Sequence, residues 1–368
     1  MSIQKENYSK APDYVFMAVT LFLLVFGLIM LTSASSDLGR ARFGDSYYYL
    51  KHQLVYGVGA GFLGFIVGYF IYYRVWEKIS VVLLALSLIS LILVFTPIGF
   101  EAYGAERWLN IFGVTIQPGE LLKLTFLIYL ASWIGKNTLR SKSFSKGFLP
   151  FIFLVGVVIA LLLAQPATST AAIIFIASVL MYFSGGAKLK FIFLGGAVCI
   201  ATLTLIVYLT PYRLSRITSF LDKNIDELGS TYHINQALNA IGSGGIAGVG
   251  FGQSTTKLKY LPEPISDSIF AVVGEELGFI GSLALVLLFL FFIMRGFRIA
   301  KNAPDKFSQL LVIGFTSLIG IQAFVNMAAI SGVIPLTGVP LPFISFGGTA
   351  LAVFLTMSGI IANISKYR

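Results

Sequence analysis

The sequence is poor in the residue types that build disulfides and metal centres. Its 368 residues include one cysteine, Cys199, and two histidines, His52 and His233. A single cysteine excludes an internal disulfide and any cysteine-based metal cage. The two histidines are far apart in the sequence, which disfavours a zinc site.

Charge is also scarce. Charged residues make up 11% of the chain and hydrophobic residues 57%, whereas soluble domains carry about 25% charged residues. A soluble protein of this composition would expose large apolar patches, so a lipid bilayer is the environment that fits it. The net charge of +10 is therefore interpreted as Lys and Arg sorted between membrane faces, and no nucleic-acid partner is expected.

Long apolar stretches dominate the rest. Stretches of roughly 17–25 residues predict membrane-spanning helices, and ten of them predict an all-α, polytopic helical bundle in one domain over 1–368. The first is too long for a signal-peptide core and is interpreted as a retained helix. The predicted spans are 14–34, 53–73, 79–97, 119–135, 148–164, 169–185, 189–210, 268–294, 307–330 and 344–364.

The positive residues predict an orientation. With a cytoplasmic N-terminus, the inner segments hold 16 of the 26 Lys and Arg residues and the outer segments hold nine. Five of those nine fall in one long loop, where charge has little effect on orientation. Both termini are therefore predicted to be cytoplasmic, in a multi-pass membrane protein.

One connection is much longer than the others. Residues 211–267 join the seventh and eighth spans and are not of low complexity; a loop of this length is usually functional or disordered. It is predicted to be a folded extracellular cap that carries the active site. Its glycine-rich run, 242–252, superficially resembles nucleotide-binding loops. No strand precedes it, so close backbone packing or a hinge is the favoured interpretation.

Charged residues inside or beside the spans are functional candidates because burying them in a membrane is costly. Glu120 and Lys123, three residues apart, share one helix face. They are either a mutually neutralising pair or a site where the cation meets an anionic ligand. Glu275 and Glu276 diverge by about 100° around the eighth helix, so only one is expected to face the bundle. A structural hydrogen-bonding role is favoured for both.

Asp267 directly precedes the eighth span. An Asp at this position is most often a helix N-cap, but a carboxylate at the rim of an apolar bundle is also suited to act as a base. Arg213 and Arg216 follow the seventh span. They are either interfacial side chains or phosphate contacts, and Arg107 beside Trp108 has the same two interpretations.

Pro335, Pro340 and Pro342, with Gly338, Gly347 and Gly348, predict an irregular outer segment before the last span. Irregular backbone at membrane depth is tolerated only where protein buries it or where it lines a cavity. This segment is therefore expected to form a cavity wall.

Four sequence blocks, in order along the chain, resemble the SEDS family (shape, elongation, division and sporulation proteins), whose members include FtsW and RodA. The blocks are Gly104–Leu109 with Gln117–Glu120 and Lys123; Tyr212–Ile217 with Phe220–Asp222; Ile241–Gly245, Gly252–Ser254, Tyr260–Glu263 and Glu275–Gly278; and Pro335–Gly348.

The resemblance implies a glycosyltransferase that polymerises lipid II at the extracytoplasmic face, with Asp267 as the catalytic residue. It also implies a class B penicillin-binding protein and other division or elongation proteins as partners. Gly252–Ser254, Tyr260–Glu263 and Met30–Ser35 look more like FtsW, which implies septal synthesis. The candidate substrate-binding residues are Arg107, Glu120, Lys123, Arg213, Arg216, Gln236, Glu263 and Ser345.

Two blocks depart from the family. Where the family usually reads His-Thr-Asp-Phe, this chain reads Ile265-Ser266-Asp267-Ser268, and the family's Gln-Pro-Asp-x-Gly-Thr is Gln165–Thr170, with Ala167 in place of the aspartate. A lipid II flippase, a RodA-like elongation polymerase and a non-catalytic scaffold remain as alternatives. No cofactor is required by the sequence, and a divalent cation, magnesium or manganese, is left open.

Overall fold

The computed structural model describes residues 11–102, 105–111, 113–210, 214, 218, 220, 230–259 and 261–367. Most of these residues are helical. The helices are α1 (Tyr14–Phe43), α2 (Tyr48–Phe70, with a π-helical turn over Gln53–Gly59), α3 (Tyr73–Leu93), α4 (Pro118–Gly135), α5 (Phe144–Ala164), α6 (Thr168–Ser184), α7 (Leu189–Leu209), α8 (Ser230–Ser243), α9 (Thr256–Lys259), α10 (Ile269–Lys301), α11 (Lys306–Ile330) and α12 (Gly348–Ile364).

The predicted helical bundle is confirmed. Each of the ten predicted spans corresponds to a helix, and within the described residues seven helices are long and apolar enough to cross a membrane. The full count of ten spans stays a prediction. The largest boundary difference is at the polar end of α1, which continues past residue 34 to Phe43. Gly44 caps this end, and its φ of 70° suits glycine.

A small sheet between α3 and α4 was not predicted, and in this respect the all-α assignment is incomplete. Strands β1 (Gly99–Ala102), β2 (Ala105–Ile111) and β3 (Val114–Ile116) form an antiparallel sheet in the order β1-β2-β3. The strands are too short for their alternation to be distinguished from a loop in the sequence.

The two described ends of the chain meet at one face of the bundle. The Asp13 backbone N–H donates to Ser365 Oγ at 2.9 Å, and Arg295 Nε donates to Asp13 Oδ1 at 2.8 Å. The start of α1 therefore lies against the ends of α10 and α12. Both chain ends lie on the same side, as an even number of spans requires; which side faces the cytoplasm stays a prediction.

Helix α10 is broken near its start. Gly278 has φ 65° and ψ −163°, so the hydrogen-bond ladder is interrupted there. The glycine-rich run fills the gap and satisfies the groups that the break leaves without helical partners. The four bonds are Val249 N to Glu275 O (3.0 Å), Gly250 N to Glu276 O (3.1 Å), Phe279 N to Gly245 O (2.9 Å) and Ile280 N to Ile246 O (3.1 Å).

This contact requires glycine. A Cβ on Gly244 or Gly248 would lie well inside 3.0 Å of the Gly274 or Glu276 carbonyl. The predicted close backbone packing of the run 242–252 is confirmed. The described part of the 211–267 loop, which includes α8 and α9, is folded; its extracellular location stays a prediction.

A matched pair of glycine substitutions isolates this contact. Gly248 and Gly252 have nearly the same φ, 82° and 80°, but a Cβ on Gly252 meets nothing within 4 Å. Both Ala variants bear the left-handed strain of about 1–2 kcal/mol, and Gly248→Ala adds overpacking of about 1–3 kcal/mol. In thermal melts of the purified protein, Gly248→Ala should unfold at a clearly lower temperature than Gly252→Ala; equal melting temperatures would contradict the proposed packing.

The orientation is tested by cysteine labelling. Thr115 in the sheet and Ser145 in the first turn of α5 are exposed, and each is close in size to cysteine. In a chain whose Cys199 is replaced by serine, Thr115→Cys should react with an impermeant maleimide in intact cells or spheroplasts, and Ser145→Cys only after lysis. The opposite pattern would place the proposed active site in the cytoplasm.

Candidate functional site

Asp267 lies in the turn that leads into α10 and is half-buried. The residue at the N-cap position is Ser268, and it makes no side-chain capping bond. The N-cap interpretation of Asp267 is therefore wrong. The role of the Asp267 carboxylate as a base stays a prediction.

The main chain at Asp267 is held by three neighbours. Its carbonyl accepts a hydrogen bond from Asn326 Nδ2 at 2.8 Å. The Ser266 carbonyl accepts from Ser345 Oγ at 2.5 Å, and the Ile265 carbonyl accepts from the Phe346 N–H at 2.8 Å. The position of the carboxylate is therefore set by elements far away in the sequence.

These neighbours belong to, or contact, the segment 331–347 between α11 and α12. The segment is non-helical apart from turns, as predicted. Buried carboxamides supply much of its backbone hydrogen bonding: Asn326 donates to Val339 O (2.8 Å), Gln322 donates to Pro340 O (2.9 Å), and Gln53 accepts from Gly347 N (3.0 Å). In addition, Ser169 Oγ donates to Thr337 O at 2.7 Å. That the segment forms a cavity wall stays a prediction.

Glu120 and Lys123 form a buried ion pair on α4. Lys123 Nζ lies 2.6 Å from Glu120 Oε1 and donates to Gln322 Oε1 at 2.8 Å; Lys123 is 0% exposed and Glu120 2%. The Phe354 ring centroid lies 5.8 Å from Nζ. These contacts favour the neutralising-pair interpretation. The pair is connected to the segment 331–347 through Gln322. Lys123 donates to the Gln322 amide oxygen, and the Gln322 amide nitrogen donates to the Pro340 carbonyl.

Glu275 and Glu276 are both buried and both hydrogen-bonded. They meet different neighbours, as the angle of about 100° between them predicts: Glu276 meets Ser33 on α1, whereas Glu275 meets the stretch before α10. Glu275 accepts from Ser254 Oγ at 2.5 Å, the Thr255 N–H at 3.0 Å and Thr256 Oγ1. The break at Gly278 allows the 242–256 stretch to cover the side of the helix that would otherwise be open. The predicted structural role of both residues is confirmed.

A second buried ion pair joins α9 to α10, and a serine of α1 bonds to both of its members. Lys257 Nζ lies 2.7 Å from Glu276 Oε1 and donates to Ser33 Oγ at 3.0 Å, and Ser33 Oγ donates to Glu276 at 2.6 Å. Lys257 and Ser33 are not recognisable as partners in the sequence, because 224 positions separate them.

Arg107 on β2 binds main-chain carbonyls. Its Nε donates to Gln165 O at 3.0 Å and its Nη2 to Pro166 O at 2.7 Å. The guanidinium therefore fastens the sheet to the turn between α5 and α6. Ser169, which bonds to Thr337, lies just after this turn, so Arg107 is linked to the segment 331–347 through the start of α6.

The other candidates occupy different positions. Glu263 is exposed and has φ 48°, and its carbonyl accepts from Ser268 N at 3.2 Å. Desolvation by neighbouring groups raises the pKa of its carboxyl, and the charge of Arg42 opposes that shift. Gln236 is half-buried on α8. Arg213 and Arg216 lie outside the described residues.

The structure thus brings Asp267, Glu263 and Ser345 together, and it links Glu120 and Lys123 to them through α11. Sequence reasoning missed Gln53, Gln322 and Asn326, although a carboxamide within an apolar span is itself a signal. It also missed His233, whose Nε2 lies 2.6 Å from Ser268 Oγ. This histidine comes from α8, not from the stretch just before Asp267.

Among the described side chains, no group of three His, Cys, Asp or Glu residues is placed to hold an ion. Magnesium is usually held by one or two carboxylates together with substrate phosphates. A divalent cation, magnesium or manganese, therefore stays a prediction.

Sequence comparison places the chain beside proteins of bacterial cell-wall synthesis. A family of cell cycle proteins comprising FtsW, RodA and SpoVE matches residues 14–368. Stage V sporulation protein E of Bacillus subtilis (strain 168) is 38% identical over 97% of this chain and 98% of its own. The probable peptidoglycan glycosyltransferase FtsW of Geobacter sp. (strain M18) is 38% identical over 96% of each chain.

Solved structures share the fold. A chain from a structure described as "Structural coordination of polymerization and crosslinking by a peptidoglycan synthase complex" aligns with a TM-score of 0.81 and 25% identity, covering 97% of this chain and 99% of that one. The rod shape determining protein RodA of Thermus thermophilus aligns with a TM-score of 0.70 and 24% identity over 96% of each chain.

The buried Glu120–Lys123 pair makes a prediction about stability. Lys123→Met leaves Glu120 buried without its cation and should lower the free energy of unfolding by about 3–5 kcal/mol. Adding Glu120→Gln should recover much of that loss, because the uncompensated charge is then gone. Thermal melts of the single and double variants measure this. A double variant that is less stable than Lys123→Met would contradict the neutralising-pair interpretation.

Proposed function

The chain belongs to the FtsW, RodA and SpoVE family of cell cycle proteins, and from that premise we propose that it is a peptidoglycan glycosyltransferase. Its substrate is lipid II, and it joins the disaccharide units into glycan strands at the outer membrane face. The observation that carries the proposal is the placement of Asp267: half-buried, not the N-cap of α10, and held through its main chain by Asn326, Ser345 and Phe346.

The reaction needs few protein groups. The 4-hydroxyl of a GlcNAc unit attacks the anomeric carbon of a MurNAc unit, and the bond from that carbon to undecaprenyl pyrophosphate breaks. Asp267 takes the hydroxyl proton as general base. Pyrophosphate leaves with its electron pair and needs cations more than it needs an acid. A single displacement inverts the anomeric carbon.

We propose that arginine side chains at the outer rim of the bundle stabilise the departing pyrophosphate. Arg213 and Arg216 follow α7 in the sequence, and guanidinium groups suit phosphate oxygens. Arg107 is a weaker candidate because at least two of its N–H groups are bonded to carbonyls. Lys123 is weaker still, because it is 0% exposed and paired with Glu120. Its role is to support the segment 331–347.

We propose a division-type role with a class B penicillin-binding protein as partner. The 38% identity to a probable peptidoglycan glycosyltransferase FtsW over 96% of each chain supports this subtype. The structural neighbour with a TM-score of 0.81 belongs to a peptidoglycan synthase complex that coordinates polymerisation and cross-linking. In a similar arrangement here, the partner would cross-link the strands made by this chain.

A carboxamide substitution tests Asp267. Asp267→Asn keeps the side-chain size and the main-chain carbonyl that bonds to Asn326, but it removes the proton acceptor. Polymer yield from lipid II with the purified protein should fall by at least about 10²-fold, while the thermal melt and lipid II binding stay unchanged.

The control is Asp45→Asn, the same chemical change at an exposed ion pair with Lys51; its polymer yield should match the parental chain. A folded Asp267→Asn variant that polymerises at the parental rate would remove the general base. It would then favour a flippase, which needs the fold and the phosphate contacts but no base, or a scaffold, which needs neither.

A further inference from the structure

Asn326 is a buried polar residue inside an apolar helix, and the proposed chemistry does not use it directly. It lies on α11, four residues after Gln322, so both carboxamides share one helix face. Asn326 is 1% exposed and Gln322 0%. A polar side chain within a membrane helix is costly and marks a position with a specific task.

The orientation of the Asn326 amide is fixed by its neighbours. Nδ2 lies 2.8 Å from the Asp267 carbonyl and 2.8 Å from the Val339 carbonyl. A primary amide has two N–H donors, and each carbonyl uses one. The flipped orientation would place Oδ1 against two carbonyl oxygens, so the donors must point this way.

This orientation leaves Asn326 Oδ1 buried with no hydrogen-bond partner in the part of the chain that the structure describes. An unsatisfied buried acceptor costs about 1–3 kcal/mol. A leucine of similar size would avoid that cost, so the stability of α11 alone does not explain a carboxamide here. What the carboxamide provides is a pair of hydrogen bonds, one to the Asp267 carbonyl and one to the Val339 carbonyl.

The two carbonyls belong to different parts of the proposed active site. Asp267 ends the 211–267 loop, and Val339 lies in the segment 331–347. One turn along α11, Gln322 bonds to Pro340, the residue after Val339, and accepts from Lys123. The same helix face therefore donates hydrogen bonds to two consecutive residues of the segment, Val339 and Pro340. Asn326 donates a further hydrogen bond to Asp267.

We propose that Asn326 is a positioning residue for polymerisation. It donates one hydrogen bond to the Asp267 carbonyl and one to the Val339 carbonyl, and so sets the position of the Asp267 carboxylate relative to the segment 331–347. The inference rests on the proposed function of Asp267 as base. Without Asn326 the Asp267 turn loses its bond to α11, although Ser345 and Phe346 still hold the two preceding residues. A displacement of about 1 Å at a catalytic group can reduce the rate by 10²-fold.

The test compares Asn326→Leu and Asn326→Ala with Ser317→Ala. Ser317 is a buried polar residue on the same helix whose Oγ has no partner among the described residues, so its loss should leave the site intact. Leu keeps the branched shape of Asn326 and Ala avoids overpacking, so that at least one variant is expected to fold.

Two measurements are made on each purified variant. In lipid II titrations, both Asn326 variants should lose roughly 10- to 100-fold in kcat, with KM within about twofold of the parental value. In hydrogen exchange without substrate, amides of residues 265–268 should exchange on the order of tenfold faster, while those of α12 are unchanged. Ser317→Ala should change neither quantity.

Parental kcat in both Asn326 variants, or parental exchange at 265–268, would overturn the inference. So would a loss of kcat that only follows a general fall in melting temperature and faster exchange throughout the chain. The exchange measurement needs no activity. If the parental chain makes no polymer, the proposed function fails, and unchanged exchange at 265–268 would separately show that Asn326 does not hold Asp267.

Discussion

Backbone groups that leave a helix inside a membrane bundle must find partners in the protein, because lipid supplies none. That requirement shapes the segment 331–347, which leaves helical geometry before α12. Side chains from other helices bond to its backbone: Gln53 from α2, Ser169 from α6, and Gln322 and Asn326 from α11. The irregular backbone beside Asp267 is thus held by hydrogen bonds from three helices.

The same constraint governs the break in α10. Gly278 interrupts the helix, and the glycine-rich run supplies two N–H groups and two carbonyls to its open ends. Two buried carboxylates lie just before the break and bind the residues that follow the glycine-rich run. Glu275 accepts from the Ser254 hydroxyl, and Glu276 pairs with Lys257. The 211–267 loop is therefore bound to the bundle at its glycine-rich run and again at Asp267, which leaves little freedom for the turn that carries the proposed base.

Much of the bundle follows from the sequence, because long apolar runs predict helices without knowledge of their partners. The buried polar network does not. Lys123 and Glu120 are neighbours on one helix and were recognisable as a pair, but the link from Lys123 to Gln322 joins α4 to α11, and Ser33 meets Lys257 across the bundle. The role of Asn326 depends on where a carbonyl 59 positions away is placed. The sheet β1–β3 escaped prediction because its strands are short.

Formation of glycosidic bonds by the chain itself, at its outer face, is the proposal on which the other proposals rest. The direct measurement incubates the purified protein with lipid II, with and without a cognate class B penicillin-binding protein, and resolves the products by length. Glycan strands that require this chain are expected. Binding or transbilayer movement of lipid II with no strand formed, in the presence of the partner as well as in its absence, would contradict the proposal.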